Sequence, residues 1–296
     1  MTLTKGQQEA FHATLEGAGP RTWSIRERRP EGPAVAWAIH RPGLLGSGLE
    51  VSDLASALEG KNKKEAMIAS SRSSQTMRIP PCRPGGPALY RKTYVYATVR
   101  ERLAGLLRTT GPRSSRARRE WTALHVLGQQ GLGTPAPVAM REIRSLGLLH
   151  RADLLTLEVA GGEPCPAFLV RASAAERASF LSGLAADLCR LHEAGISLGR
   201  PRLRDILARP HLSAHQAVFL DLGRVHCRSR LGWGARARDL GDLEASARRL
   251  LRRTERLAFL GHYFLGVAGP HPPRDRVVAR VVARSRWGPE AGDPRL

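Results

Sequence analysis

Apolar positions fall at two distinct periods along this chain, and the change from one to the other divides it. Ala117, Trp121, Leu124 and Leu127 recur at three- and four-residue spacing behind Ser114 and Ser115, which predicts a capped helix closing at Gly131. Phe180, Leu184, Leu188 and Leu191 repeat the pattern and predict a helix over 174–193 that stops at Gly195. Leu243, Ala247 and Leu250 predict another, opened by Asp239, and residues 256–265 continue the helical run. Elsewhere the period shortens. Residues 88–96 are aromatic and β-branched and predict a strand. Short apolar runs at 137–142, 154–159 and 217–220 predict three more, the second ending in Ala160-Gly161-Gly162.

Ahead of residue 88 the pattern weakens. A short apolar stretch at 34–39 lies among Gly and Pro, and 51–58 predicts a helix with Ser52 as its cap. Residues 67–79 are polar and serine-rich, and 80–87 predict a loop. The segment from Gly269 is a basic, Pro-rich tail expected to fray after Arg286. A strand-rich half with one helix thus precedes a helix-rich half, an α+β order without internal repeats.

Composition narrows the classes. With 296 residues, 42% of them hydrophobic, the chain can bury a core, which excludes wholesale disorder. No apolar run reaches the roughly 18–20 residues of a membrane span, and the first thirty residues hold no apolar signal core. A soluble, cytoplasmic protein is the expectation. Cys82, Cys165, Cys189 and Cys227 form no C-x-x-C pair, so reduced, mostly buried thiols are expected rather than a zinc site or disulfides.

Charge adds more. Lysine and arginine number 47 against 26 acidic residues, a formal charge of +21. Such a balance favours nucleic acid, anionic lipid headgroups or phosphorylated sugars, unless it is only a solvated arginine-rich surface. Nucleic acid is disfavoured, since aromatic residues make up 5% of the chain and no motif for it is present. Five of the 47 are lysines, and Lys92 alone follows Lys64. Where arginine fills nearly every basic position, a retained lysine suggests a need for a compact ammonium.

Five features then stand in order: Lys92 on its strand, Glu120 in the next helix, Glu158 to Gly162 as a connection, the segment 191–207, and Asp221 at the end of an apolar strand. Phosphoryl transfer from ATP needs this set. A strand lysine holds the phosphates and is oriented by a helix carboxylate, and acidic or amide groups hold Mg²⁺. Alone, Lys92 reads as a surface lysine, Glu120 as a solvated helix residue, and Asp221-Leu-Gly223 as a turn. Their order gives them weight together.

Leu89-Tyr-Arg-Lys-Thr-Tyr94, Ser115-Arg-Ala-Arg-Arg-Glu-Trp-Thr-Ala-Leu124 and Gly131-Leu-Gly-Thr-Pro-Ala-Pro-Val138 resemble the lipopolysaccharide core kinases, the heptose and Kdo kinases. So do Leu191-His-Glu-Ala-Gly-Ile196, Val218-Phe-Leu-Asp-Leu-Gly-Arg224 and Asp239-Leu240, and together these motifs lie within residues 78–267. The resemblance implies a bilobal protein-kinase-like fold, with a sheet-plus-helix lobe over 66–160 and a mostly helical lobe over 161–268. Residues 1–65 would then be an extension of unknown role and 269–296 a tail. It implies ATP and Mg²⁺ as cofactors, Lys92 at the phosphates, Glu120 as its partner, and Glu158, Val159 and Ala160 at adenine. Asp221 and Asp205 would hold the metal. The acceptor would be a sugar hydroxyl on an anionic glycolipid or phosphorylated sugar, met at the inner membrane through the basic surface.

One motif departs from the family. Its catalytic loop reads His-x-Asp-Leu, with Asn-Ile-Leu beginning five residues after the Asp. Here the latter is Asp205-Ile206-Leu207, so Arg200 stands at the base position and Leu198 at the histidine. Arginine cannot accept a proton from the acceptor. The alternative expectation is therefore a pseudokinase that binds nucleotide or serves as a scaffold. Glycines at 83–87 are the nearest candidates to cover the phosphates, without a G-x-G-x-x-G.

Overall fold

The computed structural model describes residues 23–27, 34–39, 51–60, 65–71, 74–81, 84–96, 115–145, 148–212 and 214–286. They gather in two compact units. One is drawn from Met1–His125 and Pro135–Glu158, the other from Val126–Thr134 and Val159–Leu296.

The first unit is built on an antiparallel sheet. Its strands are β1 (Trp23–Glu27), β2 (Ala34–Ile39), β3 (Ala66–Ser71), β4 (Ser74–Ile79), β5 (Leu89–Val95), β6 (Pro137–Ser145) and β7 (Leu148–Leu157). They run in the order β1-β2-β6-β7-β5-β4-β3. The two-residue period of β5 divides its side chains between the faces, with Leu89, Arg91 and Thr93 on one and Lys92 and Tyr94 on the other. Helix α1 (Val51–Glu59) covers the first face, where Leu54, Ala57 and Leu58 pack with Ile79, Leu89, Val138, Ala139 and Leu155. Helix α2 (Arg116–Gln129) begins over the second, its first turn capped by Ser115 Oγ, which accepts from the Arg118 N–H at 3.0 Å.

Two buried arginines fix the C-terminal end of α1. Arg91 donates to the Ala57 carbonyl and Arg141 to that of Leu58, each at 2.5 Å, at the end of the helix where the dipole favours a cation. Buried cations need counterions. Glu65 pairs with Arg91 at 2.5 Å, and Asp153, wholly inaccessible, accepts from Thr93 at 2.6 Å, Arg141 at 2.8 Å and Arg151 at 2.9 Å. The segment expected as an N-terminal extension thus contributes one helix and two strands to this unit.

The second unit is mostly helical: α3 (Cys165–Arg171), α4 (Ala174–Glu193), α5 (Trp233–Ala247), α6 (Arg253–Leu265) and α7 (Arg274–Arg286). Short strands β8 (Glu163–Pro164), β10 (Ile206–His211) and β11 (Ala214–Phe219) form one small sheet, and β9 (Ile196–Ser197) and β12 (His226–Cys227) another. Helix α4 starts in a capping box in which Ser173 Oγ accepts from the Glu176 N–H and Glu176 accepts from the Ser173 N–H. Ser173→Ala should lower stability by about 1 kcal/mol in urea unfolding, the usual worth of such a cap.

Several expectations need correction. Residues 67–79, read only as polar and serine-rich, form the β3–β4 hairpin. Their side chains gave little signal because this is the sheet's edge, where Met67 and Ile68 stay exposed and backbone pairing does the work. The strands expected at 137–142 and 154–159 are longer and shorter at different ends, since β6 and β7 make one hairpin ending at Leu157. Helix α5 begins at Trp233 with Gly232 as a cap that offers no side chain, so Asp239 lies inside it. The Pro-rich tail holds α7, whose Val277 and Val281 are buried and whose Arg284 pairs with Asp242 at 2.9 Å. Ser52, expected as a cap, lies inside α1, which begins at Val51, and fraying after Arg286 falls outside the described residues. Cys165 and Cys189 are free and buried, and burial pushes the Cys165 thiol up to about 12.

Candidate functional site

In the first unit the β5 period aims Lys92 at α2. Its ammonium lies 3.0 Å from Glu120 Oε2 and 3.1 Å from Oε1, and the carboxylate also accepts from the Tyr94 hydroxyl. The side chain of Glu120 is buried while that of Lys92 keeps 18% of its surface open, so the pair leaves the ammonium reachable from one side. The Lys92 charge also sits 5.4 Å from the Tyr94 ring centroid, a cation–π distance. A lysine held this way has its charge fixed in position by the carboxylate.

At the end of β7 the Glu158 carboxylate is engaged by Arg78 at 2.7 and 3.1 Å, which holds it below the usual carboxylate range. Its backbone N–H donates to Ala88 O at 3.0 Å. Val159 and Ala160 belong to the second unit, where the Val159 carbonyl accepts from the Gly162 N–H in a turn. The glycines at 83–87 lie between β4 and β5. The β3–β4 hairpin, in which Ser71 pairs with Ser74, precedes them in the chain.

The loop after β9 is held by several contacts within the second unit. Asp239, 1% exposed inside α5, accepts from the backbone N–H of Leu198 at 2.7 Å and of Gly199 at 3.1 Å. Its Oδ2 also meets His192 Nε2 at 3.3 Å, and His192 Nδ1 lies 2.7 Å from the Tyr263 hydroxyl. Burial lowers the His192 pKa, so the ring is neutral, donating from Nε2 to Asp239 and accepting at Nδ1 from Tyr263. Gly199 has φ +75°, and a Cβ there would stand 2.4 Å from the Arg224 carbonyl oxygen. Arg200 follows with φ +149°, a conformation costing an L-residue about 1–3 kcal/mol and kept only where its surroundings enforce it.

Arg200, Arg202, Asp205 and Asp221 line one concavity together with Leu198, Phe219 and Leu222. The Asp205 carbonyl accepts from the Leu220 N–H at 2.8 Å, which ties the two loops together. Asp221 takes the left-handed conformation, φ +51° and ψ +49°, where the chain leaves β11 for a short 3₁₀ turn. Two carboxylates on one concavity suit Mg²⁺, a hard cation that takes one or two of them and leaves its other positions to water and phosphate. Among the described residues no three His, Cys, Asp or Glu gather into an all-protein cage, and such a site needs none.

The sequence marks Asp239 as a helix start and as part of the family motif Asp239-Leu240, with no role for its carboxylate. Its position inside an apolar period, beside Leu240 and Leu243, is the signal that a buried acceptor stands there. His192 and Tyr263, 71 residues apart, gave none.

The pattern of the lipopolysaccharide kinase (Kdo/WaaP) family matches residues 64–263. A solved structure described as WaaP in complex with acyl carrier protein is similar at a TM-score of 0.59 and 20% identity, covering 85% of this chain and 98% of that one. No curated protein matches the sequence. The structural likeness speaks for the fold, which is the bilobal protein-kinase-like α+β architecture expected from the sequence. Among the described residues no helix is long and apolar enough to cross a membrane.

Proposed function

We propose, because the chain belongs to the lipopolysaccharide kinase (Kdo/WaaP) family, that it binds Mg²⁺–ATP and transfers a phosphoryl group to a sugar hydroxyl of a lipopolysaccharide core or related glycolipid. The observation that carries this reading is the Lys92–Glu120 pair at 3.0 Å. Lys92 would hold the phosphates, Glu120 would keep it oriented, and the backbone of Glu158, Val159 and Ala160 would meet adenine. Asp205 and Asp221 would hold Mg²⁺, which supplies neutralisation of charge on the transferring group. The +21 formal charge supports an anionic acceptor and peripheral contact with the cytoplasmic face of the inner membrane.

A second reading is favoured by Arg200. With no carboxylate at the base position, transfer loses a factor of about 10² to 10⁴, and the protein becomes a nucleotide-binding pseudokinase. Both readings require the nucleotide. Lys92→Ala removes a charge-assisted contact and should weaken Mg²⁺–ATP binding at least about tenfold with the fold intact. Thermal stabilisation of the full chain by saturating Mg²⁺–ATP checks it. Equal stabilisation of wild type and Lys92→Ala counts against the site.

A further inference from the structure

Arg200 is held too firmly to be an idle surface residue. The two residues before it are hydrogen-bonded to Asp239, Gly199 is packed against the Arg224 carbonyl, and Pro201 behind it is buried. That framework keeps a non-glycine residue at φ +149°. Arg200 is exposed and among the described residues forms no side-chain hydrogen bond or ion pair, and it is one of the residues lining the concavity that Asp205 and Asp221 share. A guanidinium can neither take a proton nor ligate a metal ion. What it can do is donate a planar fork of N–H groups to an oxyanion.

We propose that Arg200 forms an oxyanion subsite in this concavity, whose lining it shares with Arg202. The anion belongs either to the acceptor, as a phosphate or carboxylate beside the reacting hydroxyl, or to the end of the nucleotide. The assignment of those two owners rests on the phosphotransfer reading; the subsite itself does not. In the first case Arg200 selects an acidic acceptor sugar over a neutral one. In the second it takes over part of the charge stabilisation that the phosphates need.

The test uses the full chain and two titrations by calorimetry in Mg²⁺, one with inorganic phosphate and one with ATP. Arg200→Gln should weaken phosphate binding at least about tenfold, the usual worth of a hydrogen bond to a charged group. Arg200→Lys should recover part of it, because the charge returns without the fork. If phosphate still binds with ATP present and ATP affinity is unchanged in Arg200→Gln, the anion is the acceptor's. If the two compete and both weaken, it is the nucleotide's. Equal phosphate affinity in wild type, Arg200→Gln and Arg200→Lys overturns the subsite. So does the absence of phosphate binding by the wild type. A wild type that binds phosphate but not ATP sinks the phosphotransfer reading and leaves the subsite standing.

Discussion

Asp239→Ala is expected to cost the fold about 3–5 kcal/mol, because each buried donor left unpaired costs about 1–3 kcal/mol. Three donors lose their acceptor at once: the N–H groups of Leu198 and Gly199 and the ring N–H of His192. The Leu198 and His192 donors cannot turn to water, since both residues are buried with Asp239, while the half-buried Gly199 N–H loses less. Native stabilities are about 5–15 kcal/mol, so the loss is a large share of the whole. Asp239→Asn should be milder, as an amide keeps one acceptor oxygen but presents N–H groups at the other position. Urea unfolding of the two variants against wild type measures both. A loss below about 1 kcal/mol for Asp239→Ala means that the loop is not held as described.

Gly195→Ala should destabilise about as much by a different route. Gly195 closes α4 at φ +77°, and a Cβ on it would stand 1.9 Å from the Arg228 carbonyl oxygen. The obstruction is backbone and cannot swing aside. The same two residues are joined by the Arg228 N–H donating to Gly195 O at 2.9 Å, next to the β9–β12 pairing. Relief therefore requires separating those strands, and strain and overpacking together amount to about 3–5 kcal/mol. Gly131→Ala is the control. Gly131 has φ +70° with nothing within 4 Å of its would-be Cβ, so only the backbone conformation is charged, about 1–2 kcal/mol. A similar loss in both variants would show that the close approach contributes nothing.

Local periodicity made the long helices and the lysine strand legible. The spacing of Phe180, Leu184 and Leu188 located α4 because one face of that helix is buried along its length. The family motifs placed Lys92 and Glu120 on neighbouring elements, and their 3.0 Å contact follows from two regular periods facing each other. What escaped was set by partners distant in sequence. Helix α7 carries Val277, Val281 and Ser285 at four-residue spacing, but the prolines before it and the arginines around it masked that stripe. The β3–β4 hairpin has Ile79 alone fully buried among its described residues, too little of an apolar face to announce it. Nor could spacing reveal that Asp239 accepts from Leu198, 41 residues away, or that Arg91 and Arg141 converge on the end of α1.

The edge formed by β1 and β2 also sets a timetable for synthesis. Ala34 in β2 pairs with Arg144 in β6, about 110 residues further along the chain. A ribosome adding roughly 5–20 residues per second needs roughly 5–20 s to supply that partner. For that interval the emerged hairpin has one side of β2 unpaired, a template open to a neighbouring nascent chain. The earliest described strands thus wait for a partner made much later, and the hazard for this part of the protein lies in crowded translation, where a chaperone that shields an open strand edge would raise its yield.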